Sequence, residues 1–272
     1  MYELLCSIPK YLMSFASWLT DKVILQPTRH SLHVPQKNSL LLPHGDGEME
    51  VWVHRIGQGA QQVPDLYVLE FPGTASRAED TTDFVEGCWS QRCVEIWAVN
   101  PPGYGNSSGT ASLKKLSAMA ERALTEIRQA AGGTPVVVAG GSLGSVSALY
   151  LAAHFKVEGV LVQNPPALRE GVLAQSGWWH FKWLTRWIAA QIPHELDSLA
   201  NARRATAPAV FVTAQQDRVV PARIQRQVID AYHGPLKVFS IPDADHDTPL
   251  TEADLEQLRH LVDWLYGVIT LT

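Results

Sequence analysis

Three polar residues lie in separate loops of this sequence and together could perform nucleophilic catalysis. Ser142 sits among small residues in G-G-S-L-G, His246 lies in P-D-A-D-H-D-T-P-L, and Asp217 lies in T-A-Q-Q-D-R-V-V-P. A serine hydroxyl becomes an effective nucleophile when an imidazole accepts its proton, and a carboxylate on the far side of the ring orients that imidazole. The three residue types therefore predict acyl transfer through a Ser-His-Asp triad.

The residues around Ser142 predict a sharp turn between a strand and a helix. Val136–Ala139 is a continuous apolar run typical of a buried strand, and from Leu143 the apolar residues recur at helical spacing. The reversal has to occur within Gly140–Gly144, where glycines leave room for a serine at the apex. The alternative is a tight turn that is only structural or that holds an anion. A phosphate loop is disfavoured because no lysine follows the glycines, as G-K-[ST] requires.

Position in the chain distinguishes the candidate base and acid. His246 and Asp217 each follow a strand-like run closely, whereas the other histidines lie in amino-terminal strands, in or beside helices, or in a tryptophan-rich segment. For His246 the alternative is a histidine of a surface loop, and for Asp217 it is the cap of the next helix. Three aspartates that flank His246 are interpreted as solvated loop charges: Asp243, Asp245 and Asp247.

Two backbone N–H groups are predicted to stabilise the oxyanion of the reaction. One belongs to Leu143, which follows Ser142 at the start of a helix, where the helix dipole favours negative charge. The second lies in F-P-G-T-A-S, after the strand that ends at Phe71. Gly73 lets the backbone approach, so the N–H of Thr74 is the predicted donor.

The elements that must position these loops alternate along the chain. The predicted strands are Ser39–Leu42, Met49–Arg55, Leu66–Phe71, Val94–Val99, Val136–Ala139, Gly159–Gln163, Ala209–Ala214 and Leu236–Ile241. Helices are predicted over Leu113–Gln129, from Leu143, over Pro221–His233 and over Leu255–Ile269, the last with a capping box of Thr251 and Asp254. This order predicts an α/β fold with one mostly parallel sheet of about eight strands and helices on both faces. In such sheets function collects at the carboxyl ends of the strands.

Composition bounds the class of protein. With 272 residues, 46% hydrophobic and 18% charged, the chain suits one large soluble domain. A net charge of −5 without a basic block disfavours nucleic acid as a partner. The three cysteines, an odd number without metal-ligand spacing, predict reduced thiols, two of them in the core, and fit a cytoplasmic protein. We therefore expect no metal and no cofactor, while the oligomeric state stays open.

Two segments fall outside the predicted catalytic loops. Residues 1–23 form an apolar amino-terminal segment that is too short to span a bilayer, and it is expected to form a helix that packs on the domain of residues 24–272. The alternative is a helix in peripheral contact with a membrane surface. A lid insertion covers about residues 164–208. Three tryptophans of this insertion are interpreted as an apolar wall for an acyl chain: Trp178, Trp179 and Trp183. The alternative is a lid helix that only packs on the domain.

These motifs in this order resemble the α/β-hydrolase superfamily. Asn100–Gly109, N-P-P-G-Y-G-N-S-S-G, is similar to the D-Y-R-G-Y-G-x-S-x-G stretch of small-lid serine hydrolases, which include bacterial esterase-like proteins and eukaryotic depalmitoylases. The segment Ile24–His30 resembles the one that opens their domain. Two departures affect the oxyanion loop and its support, because Pro72 replaces the usual histidine and Asn100-Pro-Pro replaces D-Y-R.

The resemblance and the triad imply a serine hydrolase that cleaves a small-molecule carboxylic ester or thioester with an apolar acyl group through an acyl-enzyme. An acyltransferase or a peptidase could use the same three residues. The fold could also serve a binding module without catalysis, because fold does not fix function.

Overall fold

An eight-stranded sheet organises the chain in the computed structural model, which describes residues 10–30, 32, 34, 37–57, 63–80, 83–89, 92–174 and 182–271. The strands are β1 (Asn38–His44), β2 (Gly47–Ile56), β3 (Leu66–Phe71), β4 (Val94–Val99), β5 (Val136–Gly141), β6 (Gly159–Gln163), β7 (Ala209–Ala214) and β8 (Leu236–Ile241). Their order is β1-β2-β4-β3-β5-β6-β7-β8. The β1–β2 and β2–β4 pairs are antiparallel and the others are parallel. The predicted mostly parallel sheet is confirmed.

Helices connect the strands and cover both faces of the sheet. They are α1 (Lys10–Leu25), α2 (Asp83–Glu86), α3 (Leu116–Ala131), α4 (Leu143–His154), α5 (Leu168–Ala174), α6 (Lys182–Ala189), α7 (Ser198–Arg204), α8 (Ala222–Ala231) and α9 (Glu252–Thr270). The helix predicted from Leu113 starts as a 3₁₀ turn at Leu113–Lys115 before α3 begins. The predicted capping box is present at α9, where Thr251 and Asp254 satisfy each other's backbone N–H groups.

The strand that precedes Ser142, β5, has an uninterrupted apolar sequence because both of its faces are buried. Val136 and Val138 pack into the core that includes α3 and α4, while Val137 and Ala139 pack into the core that includes α9. A parallel strand in the middle of such a sheet is buried on both faces, so every side chain is apolar. Cys88 and Cys93 are free and buried, as predicted.

The amino-terminal helix α1 packs on the domain through its second half. Ala16, Thr20 and Leu25 are buried. The carbonyl of Leu25 accepts hydrogen bonds from the backbone N–H of Ala75, at 3.2 Å, and from the hydroxyl of Tyr104. The end of α1 therefore contacts both loops that adjoin Ser142. Among the described helices, none has the length and apolar character that crossing a bilayer requires.

Candidate active site

Ser142 occupies the strained apex between β5 and α4. Its φ is 48° and its ψ is −121°, a conformation that residues with a Cβ rarely adopt. A Cβ at Gly140 would collide with the backbone of Gly144, and one at Gly144 would collide with the carbonyl of Phe71. The N–H of Ser142 donates to the carbonyl of Gln163 at 2.8 Å. The two glycines thus permit the close approach that the sharp turn requires.

The structure brings His246 and Asp217 together, although 29 positions separate them in the chain. Nδ1 of His246 lies 2.7 Å from Oδ2 of Asp217, and Asp217 is only 5% exposed. An ionised carboxylate can only accept hydrogen bonds, so we assign the proton of the neutral ring to Nδ1. Nε2 is then the nitrogen that can accept a proton.

Three further donors hold the carboxylate of Asp217. Oδ1 accepts from the backbone N–H groups of Val219 and Val220, at 2.8 and 2.7 Å, and Oδ2 accepts from Nε2 of Gln225 at 3.0 Å. Asp217 is therefore not the cap of α8, whose preceding residue is Pro221. Sequence reasoning missed Gln225, a fully buried amide on α8. The sequence feature that could have identified Gln225 is a polar side chain at a buried position of an amphipathic helix.

The predicted oxyanion donors are the backbone N–H groups of Leu143, which follows Ser142, and of Thr74, in the loop after β3. In the part of the chain that the structure describes, the N–H groups of Leu143 and Thr74 donate to no acceptor. A Cβ at Gly73 would lie 3.5 Å from the Cβ of Ser142, so the loop after β3 passes beside the serine. The side chain of Thr74 is held by α1, because its hydroxyl donates to the carbonyl of Ile24 at 2.9 Å.

Comparisons with known proteins support the fold. The family described as the alpha/beta hydrolase fold matches residues 91–166, and no curated protein sequence matches the chain. Among solved structures, Est1E from Butyrivibrio proteoclasticus, solved with ferulic acid bound, is 15% identical, with 84% of this chain and 99% of that chain covered and a TM-score of 0.67. The esterase Pf2001 from Pyrococcus furiosus is 14% identical, with coverages of 90% and 97% and a TM-score of 0.64. An alpha-beta serine hydrolase homologue from Coxiella burnetii is 17% identical, with coverages of 85% and 98% and a TM-score of 0.56.

The family match includes β5, Ser142 and α4, and these structures share the fold over most of their length. The chain therefore has an α/β-hydrolase fold.

Asn164 joins the turn around Ser142 (Gly140–Gly144, called the elbow below) to the loop that carries His246. Asn164 is buried, has a φ of 47°, and follows Gln163, the acceptor of the Ser142 N–H. Its Oδ1 accepts from the N–H of Ala214 at 2.9 Å, and its Nδ2 donates to the carbonyl of His246 at 3.3 Å. Sequence reasoning missed this residue, which was visible only as a polar side chain directly after β6.

A second bridge joins the loops of His246 and Asp217. Oδ1 of Asp245 accepts from the backbone N–H groups of Arg218, at 3.0 Å, and of His246, at 2.8 Å. The interpretation of Asp245 as only a solvated charge was therefore wrong. The side chain is partly exposed, yet it connects the two loops because their backbones run side by side at the edge of the sheet.

The loop beside the elbow has an uncharged brace where similar hydrolases have D-Y-R. Nδ2 of Asn100 donates to the buried carboxylates of Glu50, at 2.7 Å, and Glu79, at 2.8 Å, while its Oδ1 accepts from the N–H of Ala78 at 2.9 Å. An amide suits this place because an aspartate there would put a third carboxylate between two others. Arg77, also buried, forms an ion pair with Glu79.

The predicted lid residues fall into two groups. Trp178 and Trp179 lie outside the described residues. Trp183 lies on α6 and is 65% exposed.

Ser142 Oγ has no hydrogen-bond partner among the residues that the structure describes, so a contact between it and the imidazole of His246 would have to form when substrate binds.

The pKa of His246 reflects opposing effects. Burial lowers it, but the hydrogen bond and the charge of Asp217 raise it, and the charges of Asp247 and Asp245 add to that increase. The net pKa lies above the ordinary histidine value of about 6.5. The imidazole of His246 is therefore protonated to a higher pH than a free imidazole would be.

The first prediction concerns pH. If neutral His246 is the base, activity rises as pH increases through its pKa, so the acidic limb of kcat/KM has its midpoint above about pH 6.5. Asp247→Asn removes one charge that raises this pKa, so the midpoint should move down by a few tenths of a pH unit. Glu256→Gln, an exposed change on α9, serves as the control. An unchanged midpoint in Asp247→Asn, or an equal shift in both variants, contradicts the assignment.

The second prediction concerns Asn164. Asn164→Gly keeps the positive φ without strain but removes both side-chain hydrogen bonds. We expect kcat to fall about tenfold with KM nearly unchanged, because the base is displaced while the acyl site is intact. Gln26→Gly, another positive-φ position, is the matched control and should retain full kcat. If Asn164→Gly keeps wild-type kcat, the bridge does not position the base.

Proposed function

We propose that the protein is a serine hydrolase that cleaves a carboxylic ester or thioester with an apolar acyl group. The fold and its esterase neighbours support a hydrolase. The observation that carries the finer proposal is the buried Asp217–His246 hydrogen bond, at the same sheet edge as the strained Ser142. A buried carboxylate that orients an imidazole beside such a serine has a direct chemical use in acyl transfer.

The reaction begins with the attack of Ser142 Oγ on the carbonyl carbon of the substrate. Nε2 of His246 accepts the hydroxyl proton, and Asp217 stabilises the imidazolium that results. The carbonyl oxygen gains a negative charge, and in this proposal the N–H groups of Leu143 and Thr74 stabilise it. Collapse of the tetrahedral intermediate breaks the bond to the alcohol or thiol, which takes the proton from His246.

Water completes the cycle. His246 removes a proton from a water molecule, whose oxygen attacks the acyl-enzyme and forms a second tetrahedral intermediate at the same two donors. When this intermediate collapses, Ser142 recovers its proton and the carboxylic acid leaves. The same residues serve both halves of the reaction, so no cofactor is needed in the proposed chemistry.

The proposal for an apolar acyl group rests on the lid. A tryptophan whose role is only to pack a helix onto the domain is expected to be mostly buried, whereas Trp183 exposes 65% of its surface. Trp187 on the same helix is partly buried. An exposed aromatic side chain on a lid helix provides apolar area that an acyl chain could cover.

The third prediction tests the nucleophile. Ser142→Ala should lower turnover of p-nitrophenyl butyrate by about 10⁴-fold or more, and it should abolish labelling by a fluorophosphonate probe. Ser145→Ala, a serine three residues further on, should still be labelled. Circular dichroism should show that both variants are folded. Labelling that persists in Ser142→Ala, or its loss in Ser145→Ala alone, would refute Ser142 as the nucleophile.

The fourth prediction tests the acyl site. Each CH₂ that is fully buried contributes about 0.8 kcal/mol, or about fourfold in kcat/KM. Trp183→Ala should therefore flatten the rise of kcat/KM from acetyl to octanoyl p-nitrophenyl esters and leave the acetyl ester nearly unchanged. Trp264→Ala on α9 provides a tryptophan control. If Trp183→Ala reduces acetyl and octanoyl hydrolysis in equal proportion, the side chain has no part in acyl selection.

A further inference from the structure

A cleft of about 870 Å³ lies beside α1 and is lined by none of the three proposed catalytic residues. One wall is α1 itself, with Trp18 and Lys22, and the residues that follow it, including Arg29. The opposite wall is the segment from Gly103 to Lys115, and Gln191, two residues after α6, also lines the cleft. The proposed chemistry makes no use of this cleft.

The charged side chains that line the cleft are mainly cationic, whereas the chain as a whole is anionic. Four cationic side chains line the cleft: Lys22, Arg29, Lys114 and Lys115. Among the described residues that line the cleft, the one carboxylate belongs to Asp21, and Oδ1 of Asp21 already accepts a hydrogen bond from the backbone N–H of Leu113 at 2.8 Å. The protein as a whole has a net charge of −5. The cleft is therefore a locally cationic site on an anionic protein.

The four cations have no carboxylate partner among the residues that the structure describes. Over the described ranges of the chain, none of the four forms an ion pair with an aspartate or glutamate. All four side chains are exposed to solvent within the cleft, where a ligand can reach them. Their charge is thus available to a bound anion.

Two of the cations are also held in place. Nε of Arg29 donates to the carbonyl of Gly103 at 2.9 Å, and its Nη2 donates to that of Gly109 at 2.8 Å. Nζ of Lys115 donates to the next carbonyl, that of Thr110, at 3.2 Å. The two positive charges therefore converge on one turn, where they repel each other. An anion bound between them would relieve this repulsion without having to order either side chain first.

The cleft adjoins the small cavity beside the elbow. Pro101 and Tyr104 line that cavity together with Gly73 and Leu143, and Gly103 lines the cleft. One short turn therefore separates the cationic cleft from the predicted oxyanion donors. A leaving group that extends from Ser142 past this turn would reach the cations.

We propose that this cleft binds a phosphate group on the leaving-group side of an acyl substrate. The inference rests on the proposed function for the acyl part but not for the binding of the anion. A phosphate ester fits because it offers several acceptor oxygens to lysine and arginine at once. Two sources share this chemistry, a glycerophospholipid and a soluble acyl thioester whose thiol carries phosphates. The exposed Trp18 in the cleft adds an apolar surface next to the cations.

Calorimetric titration of the full-length Ser142→Ala protein separates binding from turnover. The probes are coenzyme A and dihexanoyl phosphatidylglycerol below its micellar concentration, with pantetheine and dihexanoyl glycerol as their phosphate-free counterparts. At least one phosphate-bearing probe should bind saturably, and its counterpart should bind at least about tenfold more weakly. Binding of coenzyme A alone identifies a soluble carrier, and binding of the phospholipid alone identifies a lipid headgroup. If neither binds, the proposal is wrong.

Charge reversal locates the site. Lys22→Glu and Lys114→Glu, made separately in the same background, should each weaken binding about tenfold, because each removes an attraction and adds a repulsion. Lys156→Glu is the matched control, an exposed lysine that is not among the residues lining the cleft, and it should retain wild-type affinity. Wild-type affinity in both cleft variants, or an equal loss in Lys156→Glu, overturns the assignment.

Kinetics then connect the cleft to the acyl site. With Ser142 intact, Lys114→Glu should raise KM about tenfold for hexanoyl coenzyme A or dihexanoyl phosphatidylglycerol, whichever binds, and leave p-nitrophenyl hexanoate unchanged. Equal effects on the phosphate-bearing and neutral substrates contradict selection by the cleft. If Ser142 were not the nucleophile, probe labelling would fail while the titrations still reported binding, so the two failures are distinguishable.

Discussion

The buried carboxylate of Asp217 constrains the arrangement of the carboxyl edge of the sheet. A charged group that leaves water is tolerated only when hydrogen bonds replace its hydration, and Asp217 has four such donors. They come from its own turn, from Gln225 on α8 and from His246 after β8. The loops after β7 and β8 therefore have to converge, and α8 has to lie against them. Removing any one donor would leave negative charge without its partner in a site of low polarity.

The strain at Ser142 has a matching set of restraints. Its backbone conformation is unfavourable for any residue with a Cβ, so surrounding contacts must hold it. The close approach of α4 to the end of β3, which Gly144 permits, holds one side of the turn. The hydrogen bond from the Ser142 N–H to the Gln163 carbonyl holds the other side. Because Asn164 follows Gln163 and contacts the carbonyl of His246, the same strand end restrains both the serine and the imidazole.

The loops on the α1 side depend on a different balance of charge. Glu50 and Glu79 are buried, and the amide of Asn100 lies between them as a donor to both. This uncharged brace fixes the start of the segment that passes Tyr104, whose hydroxyl contacts the end of α1. Further along, the same segment carries carbonyls that bind Arg29. The amino-terminal helix, the loop beside the elbow and the cationic cleft are thus one connected structure, so the proposed phosphate site lies next to the proposed acyl site.

The sequence by itself determined the features that depend on neighbouring residues. The apolar run of β5, the glycines around Ser142 and the Thr251–Asp254 capping box each act within a few positions. Local patterns therefore predicted the strands and helices along the chain and the sharp turn at Ser142. It also placed Asp217 and His246 after successive strands, because parallel strands bring such loops to one edge. Only the tertiary structure decided which polar groups bridge them. Asn164 meets His246 across 82 positions and Asn100 meets Glu50 across 50 positions, separations at which sequence spacing carries no signal. The cleft arises in the same way, since repulsion and attraction between charges depend on distances in space that folding alone establishes.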